Sequence, residues 1–241
     1  MDGFLYDPHT HTSQTSACAD LDAARAAELY ASKGFVGYVV TDHIHPEYVS
    51  RIDRRHCWDD VIDHFLSGYR IASKRGTELG LDVILGMELR FRENENDYLI
   101  YGIDEKWLRE HPYLCEYTAQ SFSEKFHEEV LIIQAHPFRN GNQIVFENAF
   151  HGVELVNAHP RHNNYNQRAK ELCRQHHEYL RLAGSDTHQQ EDAARAGIIL
   201  PERVSNSEAY RRMIQSGRFR LWSPDFAQLI REEERFYGDN P

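Results

Sequence analysis

Short apolar segments that end in histidine or acidic residues recur along the chain and alternate with segments of helical periodicity. Short apolar runs bounded by polar residues are typical of buried strands, whereas apolar residues three and four positions apart are typical of a helix that packs on a sheet. Strands that alternate with helices favour a parallel sheet. We therefore predict an α/β fold whose strand ends carry the reactive side chains.

Neither an internal repeat nor a Gly/Ser-rich or Pro-rich linker divides the 241 residues, so we predict a single domain over residues 1–241. The expected architecture is a closed or nearly closed barrel, in which the loops that follow the strands form the site. Residues 223–241 predict a C-terminal helix with a frayed acidic tail. Strands are predicted at 4–6, 35–40, 82–91, 98–103, 130–133, 152–156, 179–183, 197–200 and 219–222, and helices at 21–33, 58–75, 104–110, 121–128, 166–176 and 205–216, with Gly76 ending the second helix.

Composition limits the classes of function. A formal net charge of −11 would repel a nucleic-acid backbone, so binding of duplex nucleic acid is not expected. The sequence has neither a long apolar run nor a basic leader followed by one, which predicts a cytoplasmic protein without a membrane segment. The four cysteines form no CxxC pair and are expected to be reduced thiols. The 15 histidines, several of which follow apolar runs, point to metal binding.

His9 and His11 are separated by one residue after the first apolar run. Side chains at positions i and i+2 of extended backbone point to the same face, so both imidazoles can bind one ion. An isolated HxH is equally compatible with two polar loop histidines, but further predicted strands carry similar residues at or near their ends. These are Asp42-His43, Glu88, His136 and Asp186-Thr187-His188. Their recurrence at strand ends predicts one shared metal site.

Glu88 is the carboxylate in the middle of this set. It follows the apolar residues Val83, Ile84 and Leu85 and precedes Leu89, which predicts a mostly buried strand. The alternative is a surface glutamate on an edge strand, but an unpaired glutamate in a buried strand would be costly. Because its two oxygens can bridge two cations, we predict that Glu88 is a metal ligand.

The motif order HxH, TDH, GxE, AHPF and GSDTH resembles the polymerase and histidinol phosphatase (PHP) family of phosphoesterases, from His9 to about Leu200. The resemblance implies a distorted (β/α)7 TIM-like barrel and two or three divalent ions, Mn, Fe or Zn, that serve the hydrolysis of phosphate esters. By the same resemblance, the first ion would be held by His9, His11, Glu88 and Asp186, the second by Glu88 and His136, and the third by His43 and His188.

The sequence departs from the family pattern at two places. Many members carry a further histidine or acid five or six residues after the HxH, where this chain has Ala17, with Cys18 and Asp20 nearby. The third ion is therefore expected to be weak or absent, and Cys18 is expected to be a small buried side chain rather than a ligand. The family also often has a histidine where this chain has Asp97, which is chemically able to bind metal in its place.

Two cations close together can activate a water as hydroxide and hold a phosphate for in-line attack. Glu88, Asp186 and His188 are the predicted catalytic residues, since Asp186 or His188 could also direct protons to the leaving group. Arg139 and Arg161 follow strands and could bind phosphate through their guanidinium groups, although solvated surface arginines are the alternative. The expected partner is a small-molecule phosphate ester. The sequence leaves its identity and the oligomeric state open.

Two other readings of the same residues stay open. An amidohydrolase barrel also begins with HxH and has a late Asp, but its common binuclear form needs a carbamylated lysine at a strand end. All five lysines here fall in or beside predicted helices. A metal-binding regulatory protein without catalysis is the other alternative, which the missing ligand near Ala17 supports and the complete set of binuclear ligands disfavours.

Overall fold

The computed structural model describes residues 3–53, 56–139, 142, 144 and 149–231. The strands are β1 (Phe4–Thr10), β2 (Gly37–Val40), β3 (His43–Ile44), β4 (Asp82–Leu85), β5 (Met87–Arg90), β6 (Asp97–Tyr101), β7 (Leu131–Gln134), β8 (Gly152–Asn157), β9 (Leu180–Gly184), β10 (Gly197–Leu200) and β11 (Arg220–Trp222). The helices are α1 (Ala23–Ser32), α2 (Pro46–Ile52), α3 (Trp58–Leu79), α4 (Glu105–Glu110), α5 (Ala119–Phe126), α6 (Asn166–Gln175), α7 (Ser207–Gln215) and α8 (Phe226–Arg231).

The strands form two sheets, in the orders β11-β10-β1-β2-β4 and β3-β5-β6-β7-β8-β9. Among the described strands, β1, β2 and β4 pair in parallel, as do β3 with β5 and β8 with β7 and β9, whereas β10 is antiparallel to β1 and β11, and β6 is antiparallel to β5 and β7. The predicted α/β class is confirmed, whereas a closed barrel is not shown among the described residues. A bridge between Thr10 and Thr187 links the end of β1 to the loop after β9.

The predicted strand 82–91 is two strands in different sheets. Gly86 separates β4 from β5, and its amide donates to the carbonyl of Val40. A Cβ at Gly86 would lie 2.8 Å from Val39 Cγ1 and 3.2 Å from the carbonyl oxygen of Ile100. A residue without a side chain is therefore needed where the chain passes from one sheet to the other. The transfer places Glu88 in the second sheet, beside His43 of β3.

One apolar cluster joins the two sheets. Tyr6 of β1 and Ile84 of β4 pack with Leu99 of β6, Ile133 of β7 and Leu182 of β9, and all five are fully buried. A second cluster lies beneath α3, whose residues Val61, Ile62, Phe65 and Leu66 are buried at the three- and four-residue spacing of one helix face. In the described part of the chain, no helix is long and apolar enough to cross a membrane.

Two local predictions are wrong. The second long helix ends at Gly80 rather than Gly76, because Gly80 adopts the left-handed conformation (φ +70°) that suits a helix end. Gly76 lies inside α3, where it allows close contact with β4 at Val83. The stretch between the predicted strand 35–40 and the predicted helix 58–75, where no element was predicted, contains α2, which His45 begins by accepting a hydrogen bond from the amide of Tyr48. The predicted tail is helical over α8, and residues 232–241 lie outside the described part.

Gly152 offers a test of the sheet register on which the site depends. A Cβ there would lie 2.0 Å from the carbonyl oxygen of Leu180 in the neighbouring strand. We expect Gly152→Ala to lower the free energy of unfolding by more than about 3 kcal/mol in urea denaturation. Gly217→Ala is the control, because Gly217 has φ +69° but no atom near its Cβ position, and it should cost only about 1 kcal/mol. Equal effects of the two variants would contradict the tight β8–β9 contact.

Candidate metal centre

Four buried donor atoms from three strand ends converge on one position, called here the first metal position. His9 Nε2 lies 3.1 Å from His11 Nε2 and 3.4 Å from Glu88 Oε2. Asp186 Oδ1 lies 3.3 Å from both imidazole nitrogens. Such separations are those of ligand atoms placed about 2 Å from a common centre in tetrahedral geometry. The predicted pairing of His9 and His11 on one face is thus realised with Glu88 and Asp186 beside them.

The donor chemistry fits a cation. Asp186 Oδ1 is buried and accepts no hydrogen bond within the described residues, an expensive state for a carboxylate oxygen unless a cation faces it. Although burial lowers it, the pKa of His11 is raised to about 9 by Asp186 and Glu88. Positive charge is therefore favoured at this position, and a divalent ion would supply more of it than a proton.

Backbone conformation directs two of the ligands. His136 and Asp186 have φ values of +26° and +53°, in the left-handed region that L-residues rarely adopt. Each follows a strand, β7 and β9, and turns sharply out of it. Strained backbone of this kind is concentrated at functional sites, where the surrounding structure fixes it. No pattern in the sequence announced these two conformations.

Glu88 connects the first metal position to its neighbours. Its Oε1 lies 3.0 Å from His136 Nε2, whereas its Oε2 lies 3.0 Å from His43 Nδ1. The two oxygens of one buried carboxylate thus face different imidazoles. Glu88 Oε1 and His136, with Asp97 nearby, define the second metal position. The two oxygens of Glu88 therefore lie at two neighbouring metal positions, as the predicted bridge requires. That Glu88 binds two ions stays a prediction.

The third metal position is formed by His43, His188 and the adjoining ring of His11, whose donor atoms lie within 4.8 Å of one another. Burial lowers the pKa of His43 well below its usual value and that of His188 to about 4. Both are therefore neutral near pH 7, the form that binds metal. Cys18 belongs to none of the donor groups found among the described residues, and it is exposed, so its predicted burial is wrong.

Glu154 and Asn157, at the end of β8, orient the ligands from behind. His9 Nδ1 lies 3.0 Å from Glu154 Oε1, which leaves His9 Nε2 free to face the first metal position. Glu154 Oε2 accepts hydrogen bonds from the amide of His136 and from Asn157 Nδ2. Glu154 and Asn157 thus position ligands without facing the first metal position themselves.

Asp42 has a role that the sequence did not reveal. Its buried carboxylate accepts hydrogen bonds from the amide and hydroxyl of Thr12 and from the hydroxyl of Ser16. The Ser16 hydroxyl in turn accepts from the amide of His43. Asp42 therefore fixes the loop after the HxH against the start of β3. Its position directly before His43 was the only available signal.

The two predicted substrate-binding arginines are both held by carboxylates. Arg139 is buried, and its Nη2 donates to Asp186 Oδ2 at 2.6 Å and to Asn157 and Asn164. Arg161 makes a bidentate pair with Asp192 at 2.7 and 2.6 Å. Arg139 borders the metal cavity, whereas Arg161 borders a separate cavity of about 410 Å³. Substrate binding by either arginine stays a prediction.

Asp97 lies beside the second metal position but is already paired. Its Oδ2 is 3.9 Å from His136 Nε2, and both of its oxygens accept hydrogen bonds from Arg90 at 2.7 Å. His159 is also buried, and its ring lies close enough to Asp186 and His188 for the three to hold an ion. A cavity of about 270 Å³ opens over the ligands and is bordered by Arg90, Asp97 and His162 as well.

No protein-family model matches the chain, and no curated protein matches it in sequence. Among solved structures it is similar to a two-domain protein from Bacteroides vulgatus ATCC 8482 that contains a predicted PHP-like metal-dependent phosphoesterase, with 16% identity, a TM-score of 0.63, and coverage of 91% of this chain and 64% of that chain. It is also similar to PsfC from Pseudomonas syringae PB-5123, with 14% identity, a TM-score of 0.63 and 98% of both chains covered.

A third similar structure is an amidohydrolase from Chromobacterium violaceum with bound sulfate and no metal, at 12% identity and a TM-score of 0.51, with 92% of this chain and 99% of that chain covered. At identities of 12–16%, these similarities show a shared fold and nothing finer. The chain spans only 64% of the length of the Bacteroides protein. The resemblance to PHP-like metal-dependent phosphoesterases is confirmed at this level. Fold and site together define a class of protein: it has an α/β fold similar to that of a PHP-like protein, and its histidines and carboxylates are close enough together to hold a metal ion.

The contact from Glu154 to His9 gives a test of the first metal position. We expect Glu154→Gln to weaken the tightest bound Mn²⁺ by roughly 10-fold to 100-fold, because His9 loses the charge that orients it. Equilibrium dialysis with elemental analysis measures this, and the wild-type chain should hold two divalent ions after reconstitution. Glu128→Gln, which changes an exposed carboxylate remote from the cluster, is the control. Less than one ion bound by the wild-type chain would contradict a metal centre.

Ala17 gives a test of the third metal position. Ala17 and Cys18 are exposed and border, with His43, a cavity of about 340 Å³ that has room for a larger side chain. We expect Ala17→His to increase the number of ions bound, because it adds an imidazole near His43, whereas Cys18→Ser should leave the number unchanged. If Cys18→Ser removed an ion and Ala17→His added none, Cys18 would be the ligand.

Proposed function

We propose that this chain is a PHP-type phosphoesterase that hydrolyses phosphate monoesters of a small molecule with the help of two or three divalent ions, Mn, Fe or Zn. The proposal rests mainly on the position of the Glu88 carboxylate. One of its buried oxygens faces His136, and the other faces His9, His11 and His43. We further propose that the fold is a distorted (β/α)7 barrel and that the protein is cytoplasmic. Its substrate, in this proposal, is not duplex nucleic acid.

The residues around the cluster perform three tasks in this proposal. Glu88 and Asp186 supply the negative charge that holds two cations close together, and the imidazoles complete the ligand sets. When bound, such ions lower the pKa of a shared water and neutralise charge on the phosphoryl oxygens. Glu154 contacts His9 Nδ1 and so keeps His9 Nε2 directed at the cluster. Arg139 donates a hydrogen bond to Asp186 Oδ2, which leaves Asp186 Oδ1 facing the histidines. His188, neutral near pH 7, is the group we assign to proton transfer near the leaving alcohol.

Recognition of the phosphate is assigned to cations that border the cavities. Arg139 is fixed by Asp186, Asn157 and Asn164 and borders the cavity over the metal ligands. A guanidinium held in one orientation loses little entropy when it binds an oxyanion. Arg161 borders the neighbouring cavity, where Asp192 holds it. In this proposal Arg139 contacts the phosphate and Arg161 contacts a more distant part of the substrate.

An amidohydrolase is the second candidate, favoured by the likeness to the Chromobacterium protein. That protein binds sulfate, a tetrahedral oxyanion like phosphate, which is equally compatible with phosphate-ester chemistry. The lysines of this chain, Lys33, Lys74, Lys106, Lys125 and Lys170, lie in helices or directly after one, away from the strand ends. A lysine bridge between metals is therefore not expected, and Glu88 is the carboxylate that would hold two ions in its place. This difference favours the phosphoesterase.

We expect Glu88→Gln and Asp186→Asn each to lower kcat for a phosphate monoester by at least about 100-fold, equivalent to about 2.7 kcal/mol in the barrier. Each substitution removes a charge that holds the cations, and circular dichroism should be unchanged. The assay is a panel of phosphate monoesters with added Mn²⁺, run beside a panel of amides, and Glu128→Gln is the control. Cleavage of amides alone would favour the amidohydrolase. No turnover of either panel by the metal-loaded chain would favour a regulatory metal-binding protein.

A further inference from the structure

Two arginine–aspartate pairs flank the cluster and differ in one respect. Arg139 donates to Oδ2 of Asp186 at 2.6 Å, and the other oxygen, Oδ1, stays free to face His9 and His11. Arg90 instead donates to both oxygens of Asp97, from Nε to Oδ1 and from Nη2 to Oδ2, each at 2.7 Å. The first aspartate thus keeps one oxygen for a cation, whereas the second has both oxygens engaged.

The Arg90–Asp97 pair is built into the sheet. The two residues lie directly opposite each other in the antiparallel ladder of β5 and β6. Asp97 is buried, and Arg90 is held from a further side by Glu95 at 2.8 Å. Cross-strand neighbours in this register are brought together by the backbone itself. The contact is therefore a fixed property of the hairpin that also carries Glu88.

The engaged oxygen is the one that the second metal position needs. Asp97 Oδ2 is the oxygen that lies 3.9 Å from His136 Nε2, and the same atom accepts from Arg90 Nη2. The lone pair of Asp97 Oδ2 that accepts this short, charge-assisted hydrogen bond is not available to a metal. The positive guanidinium also repels a divalent ion placed a few ångströms away, in a buried region where such repulsion is weakly screened.

We propose that Arg90 makes the second metal position, formed by Glu88 Oε1, His136 and Asp97, the weaker and exchangeable one, while the first position binds tightly. The inference rests on the proposed function and adds that the ranking of the two ions is set by a residue that does not bind metal itself. Arg90 is thus a positioning residue that holds Asp97 in place and limits its strength as a ligand.

The test is a titration of the full chain, loaded with one equivalent of Mn²⁺, with further Mn²⁺ while free Mn²⁺ is followed by electron paramagnetic resonance. The wild-type chain should bind the second ion at least about 10-fold more weakly than the first. Arg90→Gln should tighten the second ion by about 10-fold or more and leave the first unchanged, because Asp97 regains both oxygens. Arg90→Lys, which keeps the charge, should stay close to wild type.

Arg92→Gln is the matched control, since Arg92 lies two residues after the end of β5 but pairs with exposed Glu116, and it should change neither ion. Adding Asp97→Asn to Arg90→Gln should abolish the gain. Thermal unfolding at increasing Mn²⁺ gives a second readout if Arg90→Gln is less stable, because a tighter second ion raises the midpoint at lower Mn²⁺. Equal affinity of the two ions in the wild-type chain, or weaker second binding in Arg90→Gln, would overturn this inference alone. Absence of any bound Mn²⁺ would overturn the proposed function together with it.

Discussion

The buried carboxylate of Glu88 is the constraint around which the rest of the site is arranged. A carboxylate removed from water is stable only when positive charge or strong donors surround it. Four imidazoles, from His9, His11, His43 and His136, meet its two oxygens within 3.0–3.4 Å. His9 and His11 come from the end of β1, His43 from β3 and His136 from the loop after β7, so the charge of one side chain ties together three segments that are distant in sequence.

The surrounding hydrogen bonds explain how such a cluster is held in one geometry. Glu154 reaches both His9 and the amide of His136, so a single carboxylate connects β1 to the loop after β7. Arg139 donates a hydrogen bond to Asp186 and so fixes its carboxylate. Asp42 accepts one from the amide of Thr12 and so fixes the loop after the HxH. Fixed donors and acceptors of this kind set the tautomer and direction of each ligand. The geometry of the cluster therefore depends as much on these orienting groups as on the histidines and carboxylates that face its centre.

Periodicity predicted most helices and strands to within a few residues, because apolar residues at regular intervals reflect which face is buried. It did not predict that 82–91 is two strands, since the break at Gly86 follows from close contacts with Val39 and Ile100 in other strands. It also missed α2 and the antiparallel direction of β6 and β10. Strand direction and partner choice depend on chain segments far apart in sequence, which no local pattern records.

The sequence by itself predicted which histidine and carboxylate side chains form the cluster. Histidine and carboxylate residues at strand ends are brought together in α/β folds because parallel strands end at the same edge. Only the tertiary structure decided how each oxygen is used. Asp97 and Asp186 look alike in the sequence, yet Arg90 engages both oxygens of one and Arg139 a single oxygen of the other. That difference arises from the register of a hairpin and from a buried loop contact, and these geometries exist only once the chain has folded.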